Sequence, residues 1–260
     1  AVLIIVISVM TGFDRQLRDK ILGFNAHLRI MPRESSMTNC PAVMARVQSN
    51  KHVKGVSPFV LCQVLMRTHP PFGQALSAAP WVRGVDPAAE ARVSNMLTNI
   101  VEGSADLDRR GILVGREFAQ GMQLMVGDRV TIFSPSDIER MEADMKAGRQ
   151  SAHMPDDYEV RGIFDVGYYE YNANFVLTSL ENAQGLYNLN DTVHGLLVEL
   201  DDPELAGIVR AELHPQLGPD IRISLWTEEN SAILEAIAVE KNVMFYILFF
   251  IMIVAALCIL

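Results

Sequence analysis

Much that would mark an enzyme is scarce or missing in these 260 residues. The three cysteines, Cys40, Cys62 and Cys258, have no metal-ligand spacing, and Cys258 falls in an apolar run. Cys40 and Cys62 read as free or buried thiols, with a disulfide in an oxidising compartment as the alternative. The six histidines, at 27, 52, 69, 153, 194 and 214, form no H-x-x-x-H, H-E-x-x-H or Cys-His cluster, which argues against a metal centre. No G-x-S-x-G elbow and no G-x-x-x-x-G-K-[ST] loop occurs, so neither a serine hydrolase nor Walker-type ATP binding is indicated. Positive charge is also in short supply. Lys and Arg number 22 against 31 Asp and Glu, a net −9, which argues against nucleic acid as a partner.

What is present is hydrophobicity, at half of all residues and concentrated at the two ends. Asn242 to Leu260 reads NVMFYILFFIMIVAALCIL, without a charge or a proline. At 1.5 Å per residue such a helix is about 28 Å long, close to the hydrocarbon thickness of a bilayer. About a dozen Leu, Ile, Val and Phe in it favour insertion by several kcal/mol, so a transmembrane helix is expected. The amino end, AVLIIVISVMTGF, is apolar but too short to span, and it has neither the basic start nor the cleavage site of a signal peptide. It reads as the last half of a second membrane helix, and the chain as a fragment. About 215 water-compatible residues then lie between two spans, on the extracytoplasmic side if the lack of polybasic flanks is a guide.

Both helices are expected to continue out of the membrane as a stalk. Phe13, Leu17, Ile21 and Phe24 recur at helical spacing, and so do Ile233, Leu234, Ile237 and Ala238. Thr227, followed by Glu228 and Glu229, reads as the N-cap of the second stalk. Two short amphipathic helices on the membrane surface are the alternative.

Between the stalks, strands and helices alternate. His27–Met31, Val56–Arg67, Trp81–Val85, Tyr158–Phe164, Asn174–Thr178, Gly195–Leu200 and Ile221–Leu225 read as strands, with Pro58 expected at an edge or bulge. Ala42–Ser49, Leu180–Tyr187 and Pro203–Leu213 read as helices, and Thr68–Pro80 as a loop. Ser136 and Glu139 fit a capping box, Glu142 and Lys146 an i,i+4 ion pair, and Gly148 a stop. This mixture predicts an α+β domain in two subdomains.

Three stretches invite a chemical reading. Asp201-Asp202-Pro203-Glu204 fits a cation site but fits helix caps better. Tyr168-Tyr169-Glu170-Tyr171 is either a partner surface or half-buried structure. ILVGREFAQGMQLMVGDRVTIFSP, from Ile112 to Pro135, has the glycines of an active-site corner. It parses instead as strand, short helix capped by Gly121, turn, and strand Val130–Phe133, with no nucleophile paired to a base. Scaffold is the expectation.

Four segments carry a family resemblance. SVMTGFDRQLRDKILGFNAHLRI (Ser8–Ile30), the Ile112–Pro135 stretch, GIFDVGYYEYNANFVLTSLENAQGLY (Gly162–Tyr187) and AIAVEKNVMFYILFFIMIVAAL (Ala236–Leu257) resemble LolC/LolE-type permeases, lipoprotein-releasing members of the ABC transporters related to MacB and FtsX. The resemblance implies a periplasmic domain of two subdomains, Porter-like (27–67 and 168–226) and Sabre-like (68–167). Stalk and membrane segments at 1–26 and 227–260 would flank it. It implies a bacterial inner-membrane permease that binds no cofactor itself, paired with a second copy or paralogue. ATP and Mg would be used by a separate cytoplasmic, LolD-like ATPase. Lipoproteins would be the cargo, membrane lipid the surroundings, and a LolA-like periplasmic chaperone the acceptor.

In LolC-type members a hairpin called the hook recruits that chaperone. Its position here, between Pro135 and Val160, holds a capped helix and a polar loop instead. Ser136, Ile138, Met141, Met145, Arg149, Met154 and Pro155 are the candidate chaperone contacts. Phe245, Phe249 and Met252 share one helical stripe and are candidates to face lipid or a partner helix. The rival is the extracytoplasmic ligand-sensing domain of a two-helix membrane receptor, which the sequence beyond Leu260 would distinguish.

Overall fold

The computed structural model describes residues 12, 26–33, 36–71, 73–147 and 155–259. The amino-terminal membrane segment and the stalk expected at Phe13–Phe24 lie outside these residues, as do Gly148, Arg149 and Met154. The chain opens with β1 (Leu28–Pro32), α1 (Cys40–Gln48), β2 (Val53–Gln63), β3 (Leu65–Thr68) and the two-residue β4 (Ser77–Ala78). Then come β5 (Trp81–Val85), α2 (Pro87–Glu90), β6 (Ile100–Gly103), β7 (Gly111–Gly115), α3 (Arg116–Met122) and β8 (Arg129–Phe133). After α4 (Pro135–Lys146) follow β9 (Asp156–Phe164), α5 (Tyr169–Asn174), β10 (Phe175–Ser179), α6 (Leu180–Leu186) and β11 (Gly195–Leu200). A 3₁₀ turn at Pro203–Leu205 leads into α7 (Ala206–Leu217), β12 (Ile221–Leu225), α8 (Trp226–Glu229) and the long α9 (Ser231–Ile259).

All the described strands join one mixed sheet, in the order β12-β1-β11-β2-β5-β10-β7-β9-β8-β3-β4, with β6 added on β9. Pairs β5–β10 and β7–β9 are parallel and the others antiparallel. The mainly apolar run Val56–Arg67 divides at Val64 because its two halves serve different neighbours. β2 pairs with β11 and β5, whereas β3 pairs with β8 and β4. The path from β2 through β5, β10, β7, β9 and β8 therefore returns to within one residue of its start, and this part of the sheet closes on itself. Pro58 is in an interior strand rather than at an edge. Its partner is Leu196 on β11, and pairing with β5 begins only at Phe59, so no ladder donor is missed.

Among the described residues four apolar clusters result, two of them large; the smaller ones centre on Met96, Phe164 and Leu177 and on Phe59, Val93 and Leu197. One of the large cores fills the closed part and draws on Val64, Met66, Ile112, Val130, Ile132 and Val160, all 3% exposed or less, with Phe118 and Met122 of α3 plugging it. The other packs α1, α6 and α7 against β1, β2, β11 and β12, and its buried members come only from Leu28–Cys62 and Ala183–Ile223. Cys40 and Cys62 are buried there as free thiols, and burial pushes the Cys62 thiol up to about 12.

Several boundaries differ from expectation for local reasons. α3 runs through Gly121 to Met122, and the left-handed residue that ends it is Gln123 (φ 54°). α4 is capped by Ser134, not Ser136: Ser134 accepts from the Asp137 N–H, and the Asp137 carboxylate accepts from the Ser134 N–H at 2.9 Å. Pro135 then occupies the first helical position, where its missing N–H is harmless. The expected pair Glu142–Lys146 is present at 3.6 Å. Pro203 starts the 3₁₀ turn rather than α7, with the Asp202 carboxylate accepting from the Glu204 N–H at 2.9 Å, so this acidic stretch caps.

Candidate functional site

The sheet meets the long helix α9 at Leu225–Ser231. The expected cap at Thr227 is displaced two residues, because Glu228 reaches back to accept the Leu225 N–H at 3.1 Å. That hydrogen bond, helped by Arg210, holds the Glu228 carboxyl below its usual range. Trp226 is buried at 4% exposure, and its N–H donates to the His27 carbonyl at 3.1 Å. Asn230 donates to the Trp226 carbonyl from both backbone and side chain, and the Leu234 N–H donates to the Asn230 carbonyl at 3.0 Å. α8 and the first turn of α9 are thus tied to one another, and through Trp226 to the first residues before β1.

A second tie crosses the sheet face. Arg29 of β1 lies 3.2 Å from the Glu229 carboxylate, with its guanidinium 5.5 Å above the Phe59 ring. Burial raises the Glu229 carboxyl, and Arg29 opposes that shift. Beside this pair a small pocket is walled by Phe59, Leu61, Tyr171, Phe175 and Leu197. Tyr171 stacks on Phe175 with centroids 4.1 Å apart. Beyond it Arg83 of β5 pairs with Glu90 of α2, both buried, and Ser57 donates to the same carboxylate at 2.9 Å. A row of charge, buried at Arg83–Glu90 and half-buried at Arg29–Glu229, therefore runs across one sheet face to the root of α9. Strand alternation puts Arg29 there, opposite the apolar positions Leu28 and Ile30, while Glu90 and Glu229 reach the same face from the short helices α2 and α8.

The expected chaperone-contact residues divide. Ile138, Met141 and Met145 share one face of α4 and are exposed, Met145 at 78%. Along α4 the buried residue is Asp137, at the cap, so the helix is held by its first turn and stands off the body. Ser136 turns inward, its hydroxyl 2.8 Å from that of Ser134, and lines a cleft of about 370 Å³ with Arg110, Arg140, Asp156, Tyr158 and Glu181. Pro155 is half-buried before β9. Arg149 and Met154 lie outside the described residues.

α9 has 29 residues, about 43 Å at 1.5 Å each. Phe245, Tyr246, Phe249, Phe250 and Ile251 are all exposed, and they point to every side of the helix. A helix apolar all round needs a protein or lipid surrounding. Met252 continues it, with its side chain outside the described residues. Among the described residues no helix is long and apolar enough to cross a membrane.

A model of the MacB-like periplasmic core domain matches residues 1–216. The chain belongs to that family. It is 27% identical over 246 residues to "Lipoprotein-releasing system transmembrane protein LolC" of Xylella fastidiosa, covering 94% of this chain and 56% of that protein. It is 29% identical over 211 residues to the corresponding LolE protein of Haemophilus influenzae, covering 78% and 47%. The chain therefore spans about half the length of these relatives. The periplasmic region of MacB from Actinobacillus actinomycetemcomitans superposes with a TM-score of 0.52 at 9% identity over 83% of this chain and 95% of that one, a likeness of fold alone. The resemblance to LolC/LolE-type permeases read in the sequence stands.

Within this MacB-like domain one constellation resembles a catalytic triad and is not one. His69, Thr131 and Asp157 are in contact, but the Thr131 hydroxyl sits between the other two and donates to Asp157 at 2.6 Å. A triad needs its imidazole in the middle. These residues instead tie the β3–β4 hairpin to β8 and β9. Among the described residues no group of three or more His, Cys, Asp or Glu is placed to hold a metal ion. The row Arg29–Glu229 and Arg83–Glu90 was missed by sequence reasoning, because its members are up to 200 residues apart and form no motif. Arg83 inside WVRGV was the one visible sign, a charge in an otherwise apolar central strand.

Proposed function

We propose that this chain is the periplasmic-domain portion of the permease subunit of an inner-membrane ABC transporter. That transporter extracts lipoproteins from the membrane and passes them to a periplasmic chaperone. The observation that carries this is the family match over residues 1–216 together with LolC and LolE relatives aligned along most of the chain. In this reading ATP and Mg act in a separate cytoplasmic subunit, and a second permease copy or paralogue completes the assembly. α9 enters the membrane, where Phe245, Phe249 and Met252 face lipid, cargo acyl chains or a partner helix. The exposed face of α4, with the loop up to Asp157, meets the chaperone.

The joint supplies a mechanical rationale. A force along α9 reaches the sheet through Trp226, Glu228 and Glu229, which are bonded to His27, Arg210 and Arg29. The Porter-like segments 27–67 and 168–226 would carry that force and the Sabre-like 68–167 would move with it. The core beside α7 draws only on residues from the Porter-like segments, which supports treating those segments as one body, while the core of the closed part joins Val64, Met66, Val176 and Leu186 to Sabre-like residues.

Reconstitution tests the proposal. The full-length protein, co-purified with its ATPase in proteoliposomes, should release a triacylated lipoprotein to a soluble chaperone only when ATP is present. Release that ignores ATP, or purification without a stoichiometric ATPase, would sink it. A ligand-dependent conformational change in place of release would favour the receptor reading.

A further inference from the structure

The cleft at the root of α4 has two walls that are anchored unequally. α6 forms one of them, through Glu181, Asn182, Gly185 and Leu186. It is pinned from both sides, with Ala183 buried in the core beside α7 and Leu186 in the core of the closed part. Ser179 caps it by accepting the Asn182 N–H at 3.2 Å. α4 supplies Ser136, Asp137 and Arg140 to the facing wall. Beyond its capped first turn, α4 contributes to no apolar cluster among the described residues.

The charged groups lining the cleft are not all engaged. Arg110 pairs with Asp156 at 2.7 Å, and the Asp137 carboxylate accepts from the Ser134 hydroxyl at 2.7 Å. That leaves Arg140 on the α4 wall and Glu181 on the α6 wall. Among the described residues neither side chain has a hydrogen-bond or ion-pair partner. Opposite charges on the two walls of one cleft attract, and the wall that carries Arg140 is the less anchored one.

We propose that α4 is a lid, hinged at Ser134–Asp137, that closes on α6 by pairing Arg140 with Glu181. Arg140 follows the buried Asp137 by three residues, so a rotation at the hinge carries it across the cleft while the cap stays intact. Ser136, Arg140 and Ala143 recur at four- and three-residue spacing, which places them on the stripe that meets α6. Ile138, Met141 and Met145 occupy another stripe. Closing therefore fixes where the apolar face of α4 points, whatever partner that face serves. Both charged side chains are exposed, so their pairing shifts a population and does not lock the lid.

Disulfide trapping in the full-length protein in detergent tests the lid. Gly185 lines the α6 wall with nothing within 4 Å of an added Cβ, so Gly185→Cys fits there. Ala143→Cys on the lid can bridge to it only when the two Cα atoms come within about 7 Å, as closing requires. Cys40 and Cys62 are buried, and each cysteine substitution alone supplies the background. In the doubly substituted protein, Arg140→Glu or Glu181→Arg should each slow trapping by about threefold or more. The swap Arg140→Glu/Glu181→Arg should restore the rate to within about twofold. Raising salt from about 0.05 to about 0.5 M should slow trapping in the protein that keeps Arg140 and Glu181, as the single reversals do. An absent cross-link overturns the proposal, as do rates indifferent to both reversals or a swap no faster than the singles. Should a reversed variant fail to fold, a rate unchanged by salt overturns it instead.

Discussion

Arg29 of β1 and Glu229 of α8, 200 residues apart in sequence, lie 3.2 Å from each other at the point where the sheet hands over to a 29-residue helix. The two side chains are about a quarter exposed, so their attraction is less screened than at an open surface. Removing either partner is not equivalent. Arg29→Met keeps apolar contact with Phe59 but leaves a largely buried carboxylate alone, and should cost about 1–3 kcal/mol. Glu229→Gln removes a charge whose burial is unfavourable, and should cost under about 1 kcal/mol. Denaturant unfolding at pH 7.5 followed by Trp226 fluorescence would check the order. Equal losses would show that the pair is merely solvated.

Arg83 and Glu90 are a harsher case, because both side chains are buried and Ser57 completes the carboxylate's partners. Glu90→Gln or Arg83→Met alone should cost about 3–5 kcal/mol, since each strands a charge away from water. The double substitution Arg83→Met/Glu90→Leu should recover most of that loss. A double-mutant cycle on thermal unfolding measures the difference, and additive losses would contradict the pairing.

Most strands were legible because burial leaves a mark in sequence: alternation in the first half of β9, and continuous apolar runs in β7 and β11, which are buried on both faces, whereas the short β4 and β6 carry neither mark. Caps were less so. Two serines at 134 and 136 fit an N-cap equally well by composition, and only the placement of Pro135 and Asp137 in three dimensions separates them. The joint was not legible. Its residues Arg29 and Glu229 look like ordinary surface charges until β1 and α8 are placed side by side. The helical state of α9 was readable in composition, since the run from Asn242 carries no charge and no proline.

Gly121 illustrates the same limit and can be tested at one residue. Sequence alone places it as the cap of α3, whereas it lies inside the helix with nothing within 4 Å of an added Cβ. Gly121→Ala should therefore raise stability by about 0.5–1 kcal/mol. Gln123, which holds the left-handed position, should gain stability on Gln123→Gly. Gly115 behaves oppositely, because a Cβ there would meet the Asn172 carbonyl oxygen at 2.1 Å. Gly115→Ala should cost about 1–3 kcal/mol. A loss on Gly121→Ala would restore the capping role to that residue.

The two serines at the root of α4 bear on the proposed chaperone contact. Ser134 satisfies the Asp137 N–H and shares the Asp137 carboxylate, and Asp137 is the buried residue of this helix. Ser134→Ala should cost about 1 kcal/mol and loosen the whole helix, because little else holds it to the body. Ser136→Ala removes only a hydroxyl contact within the turn and should leave stability within about 0.5 kcal/mol. Exchange of the α4 amides reads both. Comparing the two variants for binding to a purified LolA-like chaperone then separates position from contact. Loss with Ser134→Ala alone means that the chaperone needs a fixed α4. Loss with Ile138→Ser/Met141→Ser in a helix that keeps its protection means that the chaperone touches the apolar face. Unchanged binding in both removes α4 from the contact.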